Sequence, residues 1–344
     1  MLSYKEDRFT DPLFPSRLAP LTREAVFFDI ETTGLSPASS VVFMIGAAWR
    51  DENTQTACQW IEDDLSVEGE RRLLTAFFDL LAKRRPAVLY VYNGRSFDVP
   101  FIEKRCARLG LDFSFEPFQI VDLYRELSPL RPLFPLKNFR LRSMEAFLGY
   151  KRRDKLDGKE LIRRFFLWKQ TKDPAVLDLL YLHNLDDLRG TVRVFSAVAY
   201  IDFFNGAFSP LDARSGPDTL TLNLEALEAF PVPASYSLYG IHFQGEGIQA
   251  RLTFPLYAEG IRYYYANWKD YCFLTEEGYA IHKSMAAYVD RSRRVPATKE
   301  QCFTYFQPEK DFAQDTKALA RLAHMAFDLF GFSGKPTFLD MFRV

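Results

Sequence analysis

Residues 26–35 read VFFDIETTGL, an apolar strand carrying two carboxylates, Asp29 and Glu31, just before a Thr-Thr-Gly turn. Strand side chains alternate faces, so positions two apart point the same way. Two like charges side by side repel, and burying them unpaired is costly. Either the strand runs along an exposed face with both acids solvated, or a cation sits between them. The second alternative demands further acids elsewhere in the chain.

Two segments supply them. In YNGRSFDVPF a buried strand (AVLYVYN, 87–93) ends, turns at Asn93-Gly94 and delivers Asp98 at the mouth of a helix. Ligands gather at that end of the strands in a parallel-type sheet. In HNLDDLRG, Asp187 follows His183 by one helical turn, so both share a helix face; Asp186 is the rival for the fourth position. Asp122, which closes FQIVDL, is either an auxiliary acid or a turn former. A lone Asp-x-Glu is more often a solvated pair, and a lone helical His is usually structural. Together, four carboxylates and an imidazole suit two divalent cations roughly 3.5–4 Å apart, clamping a phosphodiester while one activates water.

Periodicity places these segments. AVFFDIET, VVFMIGAAWR (41–50), TQTACQWIE (54–62), AVLYVYN and FQIVDL (118–123) read as five strands. EGERRLLTAFFDLLAKR (68–84) and VPFIEKRCARLG (99–110) read as helices, and a long helical stretch runs from Pro174 to about Phe204. Three strands, helix, strand, helix, strand is the order of a ribonuclease H-like α/β fold. The expectation is a mixed five-stranded sheet flanked by helices over 22–204, after a lead-in over 1–21. FNGAFSPLDARSGPD turns to Gly, Pro, Ser and Asp, so a linker is expected over 205–218. From 219 to 344 short aromatic runs broken by Gly and Pro predict a smaller α+β, β-rich domain closed by an amphipathic helix.

The 344 residues carry a net charge of −1, so nothing global steers the chain toward a polyanion and any basic surface must be local. Four scattered cysteines exclude a Cys-type zinc site or a disulfide framework and fit a reducing cytoplasm. No apolar run is long enough to span a membrane, and the first residues do not read as a signal peptide. A cytoplasmic protein with no membrane partner is expected.

FDIETTGL, NGRSFDVPF and HNLDD resemble, in order, the three motifs of the DEDD 3′–5′ exonuclease superfamily. The Asn93-x-x-x-Phe97-Asp98 form is similar to that of family B polymerase proofreading domains, as is LKNFRLRSMEAFLGYKRRD between the second and third motifs. Over about 22–200 the chain also resembles the stand-alone YprB-type ribonuclease H-like proteins. The resemblance implies a nuclease with two Mg²⁺ or Mn²⁺ ions held by Asp29, Glu31, Asp98 and Asp187, acting on single-stranded DNA or RNA 3′ ends. It implies that Leu35 wedges against the terminal base and that Asn93 and Phe97 hold the terminal nucleotide. The third motif departs from the pattern. This branch places Tyr four residues before the last Asp, where the chain has His183; the His subclass places His five before, where it has Leu182. An imidazole titrates near neutrality, so His183 suits either a general base or a group that orients water. An RNA-trimming or structure-selective nuclease and a binding protein with a degenerate site are the alternatives.

In the C-terminal part, Arg262 and Lys269 interleave with Tyr263, Tyr264, Tyr265 and Trp268, either as a stacking platform with phosphate contacts or as a β core. Arg291, Arg293, Arg294 and Lys299 form either a solvated loop or a phosphate track.

Overall fold

The computed structural model describes residues 1–15, 25–51, 54–309, 311–335 and 337–338. They divide into two compact units, Met1–Ser128 with Leu136–Ala197, and Pro129–Pro135 with Val198 onward.

The first unit is built on a mixed sheet of β1 (Leu2–Phe9), β2 (Ala25–Thr32), β3 (Val42–Asp51), β4 (Thr54–Glu62), β5 (Val88–Val91) and β6 (Gln119–Asp122), in the order β1-β4-β3-β2-β5-β6. Pairs from β1 to β2 are antiparallel, and β5 and β6 run parallel to β2. The five expected strands are present. The sixth, β1, comes from the expected lead-in, where LSYKEDRF alternates half-buried and exposed positions as a charged edge strand does. The remainder of that lead-in, from residue 16, lies outside the described residues.

Helices α1 (Val67–Arg84), α2 (Asp98–Leu109), α3 (Leu123–Leu127), α4 (Leu141–Phe147), α5 (Gly158–Thr171) and α6 (Pro174–Phe195) flank the sheet. Ser66 caps α1 by accepting from the Gly69 amide at 3.2 Å. On one face, Val26, Phe28 and Ile30 of β2 pack with Leu73 and Phe77 of α1 and Ile102 of α2. On the other, Phe43 and Met44 meet Phe165 and Trp168 of α5 and Leu180 of α6. Phe195 of α6 meets Phe27 and Tyr90 edge-on, with ring centroids 5.7 and 4.9 Å apart. Phe27 shares its strand face with Asp29 and Glu31, so α6 crosses the face that carries the two acids. The expected single helix over 174–204 is two: α6 stops at Ser196, whose hydroxyl bonds back to the Arg193 carbonyl at 2.7 Å, and α7 (Val198–Phe204) starts anew.

The second unit holds α7 and an antiparallel sheet of β7 (Phe208–Ser215), β8 (Thr219–Ala226), β9 (Ala234–Leu238), β10 (Ile241–Glu246) and β11 (Gln249–Pro255), ordered β7-β8-β11-β10-β9. The expected linker over 205–218 is largely β7. Its Pro210 is tolerated because β7 is an edge strand and its register shifts between Pro210 and Asp212. Then follow β12 (Ile261–Tyr264), β13 (Tyr271–Leu274), β14 (Tyr279–His282), α8 (Lys283–Ala286), β15 (Arg294–Pro296), β16 (Phe303–Phe306) and α9 (Thr316–Phe330). They make a β12-β16 ribbon and a three-stranded β14-β13-β15 sheet. Much of the Phe content goes into this unit's core, where Phe203 and Phe204 of α7 meet Phe243 and Phe327 with ring centroids 5.0–5.7 Å apart. No described helix is long and apolar enough to cross a membrane.

Candidate active site

Strand β2 pairs with β5 only from Ala25 to Phe27. Beyond that point the Ile30 amide is captured instead by Asp98, whose Oδ1 accepts it at 3.1 Å. Asp98 opens α2, and the turn before it is pinned by Asp122. Buried at the end of β6, Asp122 accepts from the amides of Asn93 at 2.7 Å, Arg95 at 3.2 Å and Tyr124 at 3.1 Å. It serves as a turn former. Asn93 adopts the left-handed conformation that this turn demands.

Helix α6 brings the third group of residues. Asp29, Gly46 and Gln59 lie side by side on β2, β3 and β4. A Cβ on Gly46 would collide with the Asn184 side chain, so glycine is what lets α6 settle onto the sheet. Asn184 then accepts from Gln59 at 3.0 Å and donates to Asp29 Oδ2 at 3.0 Å. One residue back, His183 directs Nε2 at the acids, 3.5 Å from Glu31 Oε1 and 3.4 Å from Asp187 Oδ2. Ligand atoms of Glu31, His183 and Asp187 all fall within 4.8 Å of one another.

Two layers of support hold this trio. Asp154 lies 2.7 Å from His183 Nδ1 and also accepts from Arg142 at 3.1 Å and the Leu156 amide at 2.9 Å. In the tautomer with its hydrogen on Nδ1, His183 donates that hydrogen to Asp154 and keeps its lone pair at Nε2. Arg152 donates to Asp187 Oδ1 at 2.6 Å and to buried Glu145 at 3.2 Å. Asp186 serves a different purpose. Fully buried, it accepts from the Tyr150 hydroxyl and the amides of Arg153 and Asp154, each at 2.8 Å, and so holds the loop that carries Arg152 and Asp154.

The electrostatics follow from this crowding. Burial pushes the Asp29 carboxyl well above the usual range, with Asp187, Glu31 and Asp98 adding repulsion. Glu31 is raised likewise by burial and then by Asp187 and Asp98, while Arg152 pulls both back. Burial lifts Asp98 to about 7 against the stabilising Ile30 amide, and Asp122 and Asp187 raise it further. Glu145 reaches about 7 by burial, with Arg152 opposing. Asp29, Glu31 and Asp98, three hard oxygen donors that favour protonation when alone, stand with the Asp187 carboxylate in a set that fits a hard divalent cation.

The remaining expected residues fall in different places. Leu35 is 85% exposed in the loop after β2, with no packing role to explain its apolar side chain. Asn93 is exposed, whereas Phe97 is half-buried and leans on Phe101 at 5.4 Å, part of the core. Arg291, Arg293 and Arg294 belong to the second unit, where Arg293 is committed to Glu276 at 2.9 Å and Glu277 at 2.6 Å. Arg262 is sandwiched between the Tyr257 and Phe303 rings, 4.3 Å from each centroid, and is a half-buried cation held by packing. Sequence reasoning passed over Asp154, Arg152, Glu145 and Asn184. Asn184 stands inside the quoted HNLDD, and the other three stand inside LKNFRLRSMEAFLGYKRRD, but neither spacing nor periodicity marks any of them.

The RNase_H superfamily matches residues 26–199, a span that contains every residue of this cluster. The chain belongs to the RNase_H superfamily. Among curated proteins, a DNA polymerase of Thermococcus kodakarensis is 35% identical over 94 residues, 25% of this chain and 6% of the polymerase. A DNA polymerase of Pyrococcus glycovorans is 35% identical over 91 residues, 24% of this chain and 12% of that one. The family B DNA polymerase of Pyrobaculum calidifontis superposes with a TM-score of 0.44 at 16% identity, over 90% of this chain and 46% of that chain. The chain thus matches only a small part of the curated polymerases' length. Membership of the RNase_H superfamily places it among nucleases that act on nucleic acid and generally use divalent metals.

Proposed function

We propose that this RNase_H superfamily member is a DEDD-type 3′–5′ exonuclease that hydrolyses phosphodiester bonds at single-stranded 3′ ends with two divalent cations. The observation that carries the reading is the convergence of Asp29, Glu31, Asp187 and His183 at one end of β2, with Asp98 hydrogen-bonded to the same strand. Asp29, Glu31, Asp98 and Asp187 would hold Mg²⁺ or Mn²⁺. Bound there, the cations supply charge neutralisation at the scissile phosphate and lower the pKa of an attacking water.

The chain's own residues do the rest. His183, held by Asp154 with its lone pair at Nε2, accepts the water's proton as general base. Asn184 orients Asp29, and Arg152 orients Asp187 by holding its Oδ1 while Oδ2 faces His183. Exposed Leu35 meets the terminal base and separates it from its neighbour.

End-labelled DNA and RNA oligonucleotides with Mg²⁺, Mn²⁺ or EDTA test this directly. A ladder shortening from the 3′ end is expected, abolished by EDTA and by Asp29→Ala. Full cleavage in EDTA or by Asp29→Ala would remove the metal assignment, and a ladder receding from the 5′ end would reverse the polarity.

A further inference from the structure

The second unit contains a cleft of about 300 Å³ between the β12 segment and α9. Tyr263, Tyr264 and Tyr265 all line it. Tyr264 is buried, whereas Tyr263, near the end of the strand, and Tyr265, just beyond it, are half-buried and bring their rings together. Tyr265 is fixed twice, by stacking on Tyr271 at 4.7 Å and 15° and by a hydroxyl contact with Thr304 at 3.0 Å. Tyr263 meets it at 5.6 Å and 64°, so the two rings form a rigid aromatic corner. The facing wall is one stripe of α9, where Arg321, His324 and Asp328 recur at helical spacing over a floor of buried Met325. Phenol faces inclined at 64°, a guanidinium on an exposed helix face and a carboxylate beside them make a mixed surface, not an apolar groove.

We propose that this cleft binds one nucleotide of a single-stranded nucleic acid, with its base stacked on the Tyr263–Tyr265 corner and its phosphate on Arg321. The inference rests on the nuclease reading for its class of ligand. Stacking on tyrosine tolerates any base, which suits a strand read without regard to sequence. The volume lies at the lower end of ligand pockets, room for one base and its sugar. Asp328, whose Oδ1 accepts from the Ser333 hydroxyl, offers its other oxygen to a base amino group or a sugar hydroxyl. A net charge of −1 makes such local capture necessary, and the other expected basic track is weakened by the pairing of Arg293 to Glu276 and Glu277.

The test uses the full chain in EDTA, where no strand is cut. Fluorescein-labelled oligo-dT and oligo-rU are followed by anisotropy for wild type, Tyr263→Leu and Arg321→Ala. Arg321 sits on an exposed face, so its replacement leaves the fold intact. Each variant is expected to bind about 5- to 100-fold more weakly, and Arg321→Ala to flatten the salt slope by about one. A strand carrying 5-iodouracil should photocrosslink to the Tyr263–Tyr265 peptide. A mononucleotide that competes at the same concentration as the strand would assign the cleft to free nucleotide and overturn the strand assignment. Unchanged affinity in both variants, or crosslinks confined to other peptides, would overturn the cleft while leaving the nuclease reading intact. Conversely, a wild-type protein that cuts nothing in Mg²⁺ or Mn²⁺ but loses strand binding in both variants would sink the nuclease reading alone.

Discussion

Replacing Asp98 by Asn should stabilise the metal-free protein at pH 8. Asp98 is buried, and its carboxyl titrates at about 7 in the folded chain against 3.8 in a free peptide. The shift of about three units corresponds to about 4 kcal/mol, at about 1.4 kcal/mol per unit. Its sign follows from linkage. Between the two values the folded state binds the proton and the unfolded state does not, so wild-type stability falls as pH rises from about 4 to about 7. Above that window the full cost is present. Asn keeps the acceptor that the Ile30 amide uses and removes the ionisation. Because Asp29, Glu31 and Asp187 share the same field, relaxation among them reduces the gain, and about 2 kcal/mol is a working figure.

In thermal unfolding followed by circular dichroism in EDTA, that gain raises Tm by about 4–8 °C at pH 8. The advantage should shrink as pH is lowered toward 5, where the wild-type carboxyl is already protonated. Saturating Mn²⁺ should reverse the order, because only the intact site gains binding free energy. An Asp98→Asn protein that melts at or below the wild-type temperature in EDTA at pH 8 would refute the claim that the acid cluster is held under repulsion.

Three further outcomes are expected. His183→Ala should lower turnover by about 10²–10⁴-fold while calorimetric Mn²⁺ affinity is retained, with His183→Tyr losing less; an unchanged rate and pH profile would make His183 a packing residue. Gly46→Ala should cost about 1–3 kcal/mol by forcing Asn184 off the sheet, together with lower activity as Asp29 loses its donor; a wild-type Tm would show that α6 does not rest on β3 there. Asp186→Ala and Asp187→Ala should affect Tm differently in EDTA, the first lowering it through three lost hydrogen bonds, the second leaving it level or raising it through relieved repulsion; a matching drop in both would mean that Asp187 also holds the fold.

How much of this was legible in the sequence depended on the range of each interaction. Asp29 and Glu31 announce themselves because strand alternation is a two-residue rule, and His183 and Asp187 because a helical turn is a four-residue rule. Strands β2 to β6 of the first unit were readable for the same reason. The edge strands β1 and β7 were not, since LSYKEDRF is too charged and FSPLDARS too rich in turn formers to read as strand. Edges tolerate such residues because one of their sides has no ladder to keep. Asp154 was invisible on different grounds. Its partner His183 lies 29 residues away, and nothing local distinguishes the acid of KRRD from a solvated one. Arg262 erred in the other direction: a basic residue among tyrosines looks like a binding surface, and only packing reveals that rings occupy both faces of its guanidinium.

The departure in the third motif has a physical reason in the same geometry. Consecutive positions on α6 point about 100° apart, so His183, Asn184, Asp186 and Asp187 address different surroundings from one short stretch of helix. Asn184 reaches the sheet, Asp186 reaches the 150–154 loop, and His183 and Asp187 face the acids. The loop that Asp186 fixes returns Asp154 to His183 and Arg152 to Asp187. A phenol at position 183 has one polar atom and cannot both accept a proton at the acids and be held from behind. An imidazole has two nitrogens on opposite sides of the ring, so Asp154 grips Nδ1 while Nε2 stays on the cluster. His183 at the spacing of the tyrosine branch is therefore coupled to Asp154, and the two residues form one unit with the loop that Asp186 anchors.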